Sequence, residues 1–275
     1  MRSFLPAGAS TNLAWHSNLR QLNDKLALLR HHPLAEVRDI AETAELALTE
    51  ACPNSFGFER FTQTEAYNKE MAKLYTYFND ETPSDFELLS DSIDRNRLKE
   101  YQTALSQRPP KTELPKLLAE CGQLSFKFLL DFGSFRDIQR HRAVTQKMPL
   151  LTTEHGFADW YLTEMDTALA EKAKKIIADQ TIAIEQLTTD PLIKQYYIAM
   201  GFNTTNRLSG NLSALIYLIE LRSTRFVHPT LRHRAHQMAQ VLTELLTDYG
   251  LVLHTDKDPD RFDIRRGLQD IVAKD

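Results

Sequence analysis

Glycine is scarce in this sequence, and the glycine-dependent signatures of several common enzyme classes are missing. Only 9 of the 275 residues are glycine, less than half of the usual share of about 7%. The chain has neither the GxGxxG turn of dinucleotide-binding folds nor the GxxxxGK[ST] loop that cradles phosphates. The GxSxG and HExxH motifs are absent too. These absences exclude the corresponding enzyme classes, and the low glycine content predicts a helix-rich chain.

Paired cysteines, excess positive charge and long apolar runs are also missing. Cys52 and Cys121 form no CxxC pair and have no metal-type spacing, which favours a reducing compartment, so the cytoplasm is the expected location. The net charge of -4 gives no global field for attracting nucleic acid, and a nucleic-acid partner is not expected. The longest apolar stretch, 212–221, contains a serine and a glutamate and is too short to span a bilayer, so no membrane association is expected.

What the sequence does have is helical periodicity along most of its length. Apolar residues three or four apart predict helices at 13–31 and 34–51, which the His32-Pro33 break separates into a helical hairpin. The same spacing predicts three more helices, at 63–77, 84–105 and 166–187.

One segment, 124–130, alternates apolar and other residues with period two and is predicted to be a strand. Ser134 follows it and is predicted to cap a helix running through Ile138 and His141, because a serine hydroxyl accepts from the free amides of the first helical turn. The fold class predicted from these patterns is α+β, mostly helical, with a small sheet and helical bundles around it.

The end of the chain repeats its beginning. Setting Gly8 on Gly201 places Asn18-Leu19 on Asn211-Leu212, and a three-residue insertion then places His32-Pro33 on His228-Pro229. The alternative is that two amphipathic hairpins share a leucine periodicity. We interpret the pattern as a partial module at 1–56, a whole module at 57–250, and a C-terminal extension at 251–275.

The densest polar group is Arg136, Arg140, His141 and Arg142, which cannot all face a core. Guanidinium groups suit phosphates and carboxylates, so this group is either an anion site or a solvated helix end.

A second basic group contains histidines and arginines, namely His228, Arg232, His233, Arg234 and His236. His233 and His236 have ligand-compatible spacing, but no acid or cysteine completes a set, so no metal site is assigned. Arg222 ends a run of apolar residues, and it is either paired with a residue such as Glu220 or aimed into a site.

Together these residues resemble the flavin-dependent thymidylate synthase (ThyX) family. In that family a strand and a helix lead into an Arg-His-Arg signature, and a later helix carries Asn-x-Arg and ends in Leu-Arg. The segment SFKFLLDFGSFRDIQRHRAV resembles the first part, and NLSALIYLIELRSTRFVHPTLRHRA resembles the second. The resemblance covers residues 57–250, and residues 18–42 resemble the second part again.

The resemblance implies a ThyX-like fold, a homo-oligomer, and the reductive methylation of dUMP, or a related uracil nucleotide, to dTMP. Methylenetetrahydrofolate would be the carbon donor and NADPH the reductant of FAD. Arg222 would polarise the uracil ring of the nucleotide. By resemblance, the FAD-binding residues are Arg140, His141, Arg142, Asn18, Arg20, Asn211 and His228.

The sequence also departs from the family pattern. Leu150 and Thr152 stand where the family has a serine and an arginine, Gln195 matches another arginine, and Ser213 replaces the arginine of Asn-x-Arg. These losses favour an alternative, a catalytically degenerate paralogue that acts as a flavin- or nucleotide-binding or assembly subunit. Since the partial module keeps Asn18-Leu19-Arg20, the two modules are also expected to complete one site between them.

Overall fold

A computed structural model of the chain describes residues 2–56, 59–75 and 84–257. Within these ranges the fold is α+β, as predicted, with one four-stranded antiparallel sheet in the order β1-β2-β4-β3. The strands are β1 (Phe86–Asp91), β2 (Gln123–Asp131), β3 (Thr145–Lys147) and β4 (Asn203–Asn211).

Twelve α-helices and several short 3-10 turns surround this sheet in the described part of the chain. The helices are α1 (Leu19–Leu29), α2 (Ala35–Ala51), α3 (Pro53–Phe56), α4 (Thr62–Ala72), α5 (Arg95–Leu98), α6 (Gln102–Gln107), α7 (Phe132–Ile138), α8 (Asp159–Thr163), α9 (Thr167–Glu185), α10 (Pro191–Lys194), α11 (Leu212–Arg222) and α12 (Pro229–Leu246). None of the described helices combines the length and the apolar character needed to cross a membrane.

The main core lies between the sheet and the helix pair α11–α12. β2 pairs with β4 over its whole length, from Gln123 opposite Asn211 to Asp131 opposite Asn203. Phe126 and Phe128 of β2 are fully buried in one cluster with apolar side chains of α11 and α12. α11 is apolar on most of its surface because it is enclosed by the sheet and its neighbours.

Several predictions about these elements are confirmed. The 124–130 segment is the centre of β2, and the predicted hairpin corresponds to α1 and α2. The 166–187 helix is α9, which Asp166 caps. The module boundaries stay predictions, since residues 57–58 and 258–275 lie outside the described ranges.

The predicted helix at 84–105 is wrong in its first third, which is β1. Phe86 pairs with Phe128 of β2 and packs on the core, and Leu88 pairs with Phe126. Their spacing of two fits a strand, and cross-strand aromatic packing stabilises it. β4 is held between β2 and β3 by ladders on both sides.

Asp131, the last residue of β2, caps α7, so the predicted cap at Ser134 is wrong. The Asp131 carboxylate accepts from the Ser134 amide at 2.9 Å. α7 ends at Ile138, and the His141 amide donates to the Ile138 carbonyl at 2.9 Å. His141 therefore lies in a turn after the helix rather than on it.

A buried ion pair holds Glu220, so Glu220 is not the partner of Arg222. The Arg108 side chain is 4% exposed, and its guanidinium donates to both carboxylate oxygens of Glu220. The same carboxylate accepts from the His254 amide at 2.8 Å. Glu220 is thus bound to Arg108, and Arg222 has other partners.

We expect Glu220→Gln to lower the free energy of unfolding by about 3–5 kcal/mol, because it leaves the Arg108 charge buried without an anion. Glu171→Gln is the matched control, since the Glu171–Lys174 pair is more than half exposed and contributes at most about 1 kcal/mol. Urea unfolding of both variants measures the difference. Equal, small effects would contradict the structural role of the buried pair.

Candidate functional site

An arginine-lined cleft of about 1060 Å³ opens beside α7 and the end of α11. Its walls come from α7 and the turn after it, from α8, and from the 221–228 segment. It is lined by five arginines, Arg2, Arg136, Arg140, Arg222 and Arg225, and by His228. Among the described residues Asp137 is the one carboxylate that lines it. Arg225 is bound to Asp256, with Nε–Oδ2 at 2.9 Å. The remaining arginines give the cleft an excess of positive charge.

Arg222 is fixed in this cleft by two neutral acceptors. Its Nε donates to Nε2 of His141 at 2.8 Å, and its Nη2 donates to the carbonyl of Asp137 at 2.6 Å. These two bonds use two of the five guanidinium N–H groups. Burial lowers the pKa of Arg222 from its usual value, but an arginine stays charged in any case. The side chain is therefore a cation held in position, with donors left for a ligand.

His141 has to be neutral to accept this hydrogen bond, and its surroundings keep it so. Burial, and then the charge of Arg222, lower the pKa of His141 to about 4. At neutral pH the ring carries no charge, and its Nε2 lone pair points at Arg222. His141 lies beneath the cleft as a support for Arg222 and is not among the residues that line it.

A buried hydrogen-bond network holds His228 on another wall. The fully buried Asp131 accepts from the Tyr161 hydroxyl at 3.0 Å and from the Thr230 hydroxyl at 2.6 Å. Thr230 Oγ1 also lies 2.8 Å from Nδ1 of His228. Because the Thr230 hydrogen goes to the carboxylate, Nδ1 of His228 is the donor in that bond. The network fixes the His228 ring, and Trp160 packs edge-on against that ring, with 4.6 Å between the ring centroids.

Three of the sequence-predicted residues therefore meet in the cleft: Arg140, Arg222 and His228. His141 reaches it indirectly through Arg222.

The other four lie elsewhere. Asn211 and Asn18 cap α11 and α1, and Asn211 is one helix length, about 16 Å, from the Arg222 end of α11. Arg20 and Arg142 are exposed and do not line the cleft. Their cofactor-binding roles stay predictions.

The first 56 residues do contribute to the cleft, but through residues that sequence reasoning missed. Arg2 and Ser3 line it, whereas Asn18 and Arg20 were expected to do so. Asp131 and Thr230 were also missed, and the only available signal was a carboxylate at the end of a predicted strand. Thr230 is 99 residues away from Asp131, a separation that no local pattern reports.

The positions that depart from the family pattern have structural contacts here. Leu150 is buried. The Gln195 side chain accepts from the Leu151 amide at 2.9 Å, and the Ser213 hydroxyl donates to the Pro115 carbonyl at 3.1 Å. These residues hold loops and helix ends in place.

The two arginines of the second basic group are bound within the fold. Arg232 Nε donates to the Ser223 carbonyl, and Arg234 donates to the Leu129 carbonyl at 2.8 Å and to the Asp85 carboxylate at 2.7 Å. Within residues 2–56, 59–75 and 84–257, no group of three or more histidine, cysteine, aspartate or glutamate side chains is arranged to hold a metal ion.

The fold and the cleft define an α+β protein with a cationic cleft of a kind that accepts anions. No family model matches the chain. The chain is similar to a UPF0159 protein of Chlamydia muridarum, at 25% identity over 90% of the chain and 55% of that protein. A UPF0159 protein of Chlamydia pneumoniae is 22% identical over 91% of the chain and 55% of its own length. A UPF0159 protein of Thermoplasma acidophilum is 30% identical over 41% of the chain and 23% of its own length. The chain spans about half the length of the chlamydial relatives.

The neutral state of His141 predicts a specific pH dependence. An unfolded histidine has a pKa near 6.5, and the folded pKa is about 4, so the unfolded chain binds the extra proton between these values. The stabilisation is complete above pH 6.5 and is lost as the pH falls toward 4.

His141→Gln keeps an acceptor for Arg222 but does not titrate. Between pH 7.5 and 5.0 we expect the variant to lose roughly 2 kcal/mol less unfolding free energy than the wild type.

Urea unfolding at the two pH values measures this difference. His16→Gln is the control, because His16 is exposed and its replacement should leave the wild-type pH dependence unchanged. If His141→Gln also follows the wild-type curve, His141 is not held neutral.

Proposed function

We propose that the chain is a ThyX-like protein whose arginine cleft binds dUMP, or a related uracil nucleotide, together with FAD. The proposed reaction is the reductive methylation of the uracil ring to give dTMP, with methylenetetrahydrofolate and NADPH as co-substrates. The observation that carries the proposal is the position of Arg222, which neutral acceptors hold in a cationic cleft beside Arg140.

The residues of the cleft fit such ligands. Planar guanidinium groups bind phosphates through paired hydrogen bonds, and Arg2, Arg136 and Arg140 line the same cavity as Arg222. Phe226 lies among them and offers an apolar ring to a flat heterocycle. A bound FAD would supply the hydride for the reduction. Arg222 would bind beside the pyrimidine, where a fixed cation favours the ionised form of the ring.

A second candidate is a catalytically degenerate paralogue that binds flavin or nucleotide, or serves in assembly. The observation that favours it is the structural use of Leu150 and Gln195, which stand where the family has a serine and an arginine. Without those groups, the cleft depends on its remaining arginines for affinity.

We expect Arg222→Ala and Arg140→Ala each to weaken dUMP binding at least about tenfold, because a charge-assisted hydrogen bond contributes about 1.5–3 kcal/mol. Isothermal titration calorimetry measures the affinities. Arg97→Ala is the matched control, since Arg97 lies in α5 near the start of β2, whereas the cleft lies at the end of that strand. Unchanged affinity in Arg222→Ala would remove the proposed role of that side chain.

Turnover separates the two candidates. The first predicts that protein supplied with FAD, NADPH and methylenetetrahydrofolate converts dUMP to dTMP, as followed by chromatography. The second predicts nucleotide or flavin binding without dTMP. Turnover that persists in Arg222→Ala at the wild-type rate would contradict the first candidate.

A further inference from the structure

The segments at the start of the two repeats, residues 3–8 and 196–201, pair with each other about a local two-fold axis. Pro6 and Ala199, which are matched positions of the repeat, form an antiparallel bridge. The backbone hydrogen bonds on either side come in matched pairs. In the first pair, the Ala7 amide donates to the Ile198 carbonyl and the Met200 amide donates to the Leu5 carbonyl. In the second pair, the Gly8 amide donates to the Tyr196 carbonyl and the Gly201 amide donates to the Ser3 carbonyl. Exchanging each residue for its repeat partner turns one bond of a pair into the other. Every antiparallel bridge has such reciprocal bonds, but this bridge joins matched positions of the repeat, so its local two-fold axis relates the starts of the two repeats.

The helices that follow obey the same correspondence. α1 and α11 each have 11 residues, and each begins after an asparagine whose side chain accepts from the third helical amide. α2 begins two residues after His32-Pro33, and α12 begins at Pro229 of the matched pair. Residues 18–56 thus correspond to α11 and α12 of the trailing half of a module, and residues 9–17 occupy the place of β4 without forming a strand.

What residues 9–56 lack is the sheet that covers their counterpart. Leu13, Trp15 and Leu19 are 88%, 48% and 39% exposed, whereas the matched Asn206, Leu208 and Leu212 are buried. Residues 9–17 have no β-ladder partner among the described residues.

The matched arginines Arg38 and Arg234 differ in the same way. Arg234 donates to the Leu129 carbonyl of β2, but Arg38 turns back to the carbonyls of His32 and Pro33. The first trailing half is therefore folded without its own version of β2.

The number of half-modules in the described chain indicates which polypeptide can cover the exposed face of residues 9–56. The described chain has one leading half, with β1, β2 and α7 (residues 84–138), and two trailing halves. Its leading half is already engaged, because β4 covers β2 along its whole length. A second copy of the chain therefore brings no spare leading half. The chlamydial relatives have about 45% of their length outside the match, which is room for another one.

We propose that residues 9–56 are the docking surface for a second leading half-module, a polypeptide built like residues 84–138. Its equivalent of β2 pairs with residues 9–17 as β2 pairs with β4, and it covers Leu13, Trp15 and Leu19. The result is a second complete module related to the first by the axis at Pro6 and Ala199. The two modules already share a cleft across this axis, since Arg2 and Ser3 line it together with α7.

A tandem chain tests the proposal. Residues 57–193 are added ahead of residue 1 of the full chain, which the repeat matches to residue 194, so that the added copy supplies a second leading half. Amide hydrogen exchange is measured by mass spectrometry for residues 9–17 and, as an internal reference, for 203–211. We expect exchange of residues 9–17 to slow at least about 100-fold in the tandem relative to the chain alone, because ladder formation protects amides. Fast exchange of 9–17 in both proteins would overturn the proposal.

Leu13→Asp provides the matched control. In the chain alone Leu13 is 88% exposed, so the variant should unfold at the same urea concentration as the wild type. In the tandem it should abolish the protection of residues 9–17 while 203–211 stay protected. A shifted midpoint in the chain alone, or full protection in the tandem variant, would contradict a docking surface at this face.

Discussion

The antiparallel pairing of β2 with β4 determines the cleft, because both helices that border it begin where these strands end. β2 runs into the Asp131 cap and α7. β4 ends at the other end of the strands, opposite the start of β2, where Asn211 caps α11. α11 then runs back along the sheet. The return brings Arg222 next to Asp137 and His141, which are 85 and 81 residues earlier in the chain. A shift in the pairing would separate these groups.

The two charged side chains near the end of α11 have different kinds of partner. Glu220 and Arg222 are two residues apart on the helix, so they face different surroundings. Glu220 meets Arg108 in the interior, and Arg222 meets a neutral histidine and a carbonyl. A carboxylate partner would neutralise Arg222 and remove its attraction for an anion. The neutral acceptors keep its charge available while fixing its direction, which suits the binding of an anion.

The sequence predicted those elements whose apolar pattern has one period throughout. β2 alternates cleanly, and α2 and α9 keep helical spacing, so the predicted bounds of these three elements agree with the structure to within two residues. α1 begins at Leu19, six residues after the predicted start. The stretch SDFELLSDSIDRN predicts a helix over β1 because its apolar residues fit both periods, and only the pairing with β2 makes it a strand. β4 is polar along much of its length, with Thr204, Thr205 and Asn206 buried, and its strand state comes from ladders on both sides.

The site was predictable only where its residues are close together in sequence. Arg136, Arg140 and His141 form one cluster that was visible in the chain, and Arg222 was visible as a charge at the end of an apolar run. The contribution of Arg2 and the Asp131–Thr230–His228 network depend on contacts between distant segments. Arg20 was the arginine of the first 56 residues that was expected at the site, whereas Arg2 is the arginine of that segment that lines the cleft.

The measurement that tests the central claim most directly is the visible absorption spectrum of the purified chain after incubation with FAD and desalting. Bound flavin, retained in the wild type and reduced in the Arg140→Ala variant, is the result the account predicts. A spectrum without flavin bands at every FAD concentration would contradict it and would leave the cleft as a site for some other anion.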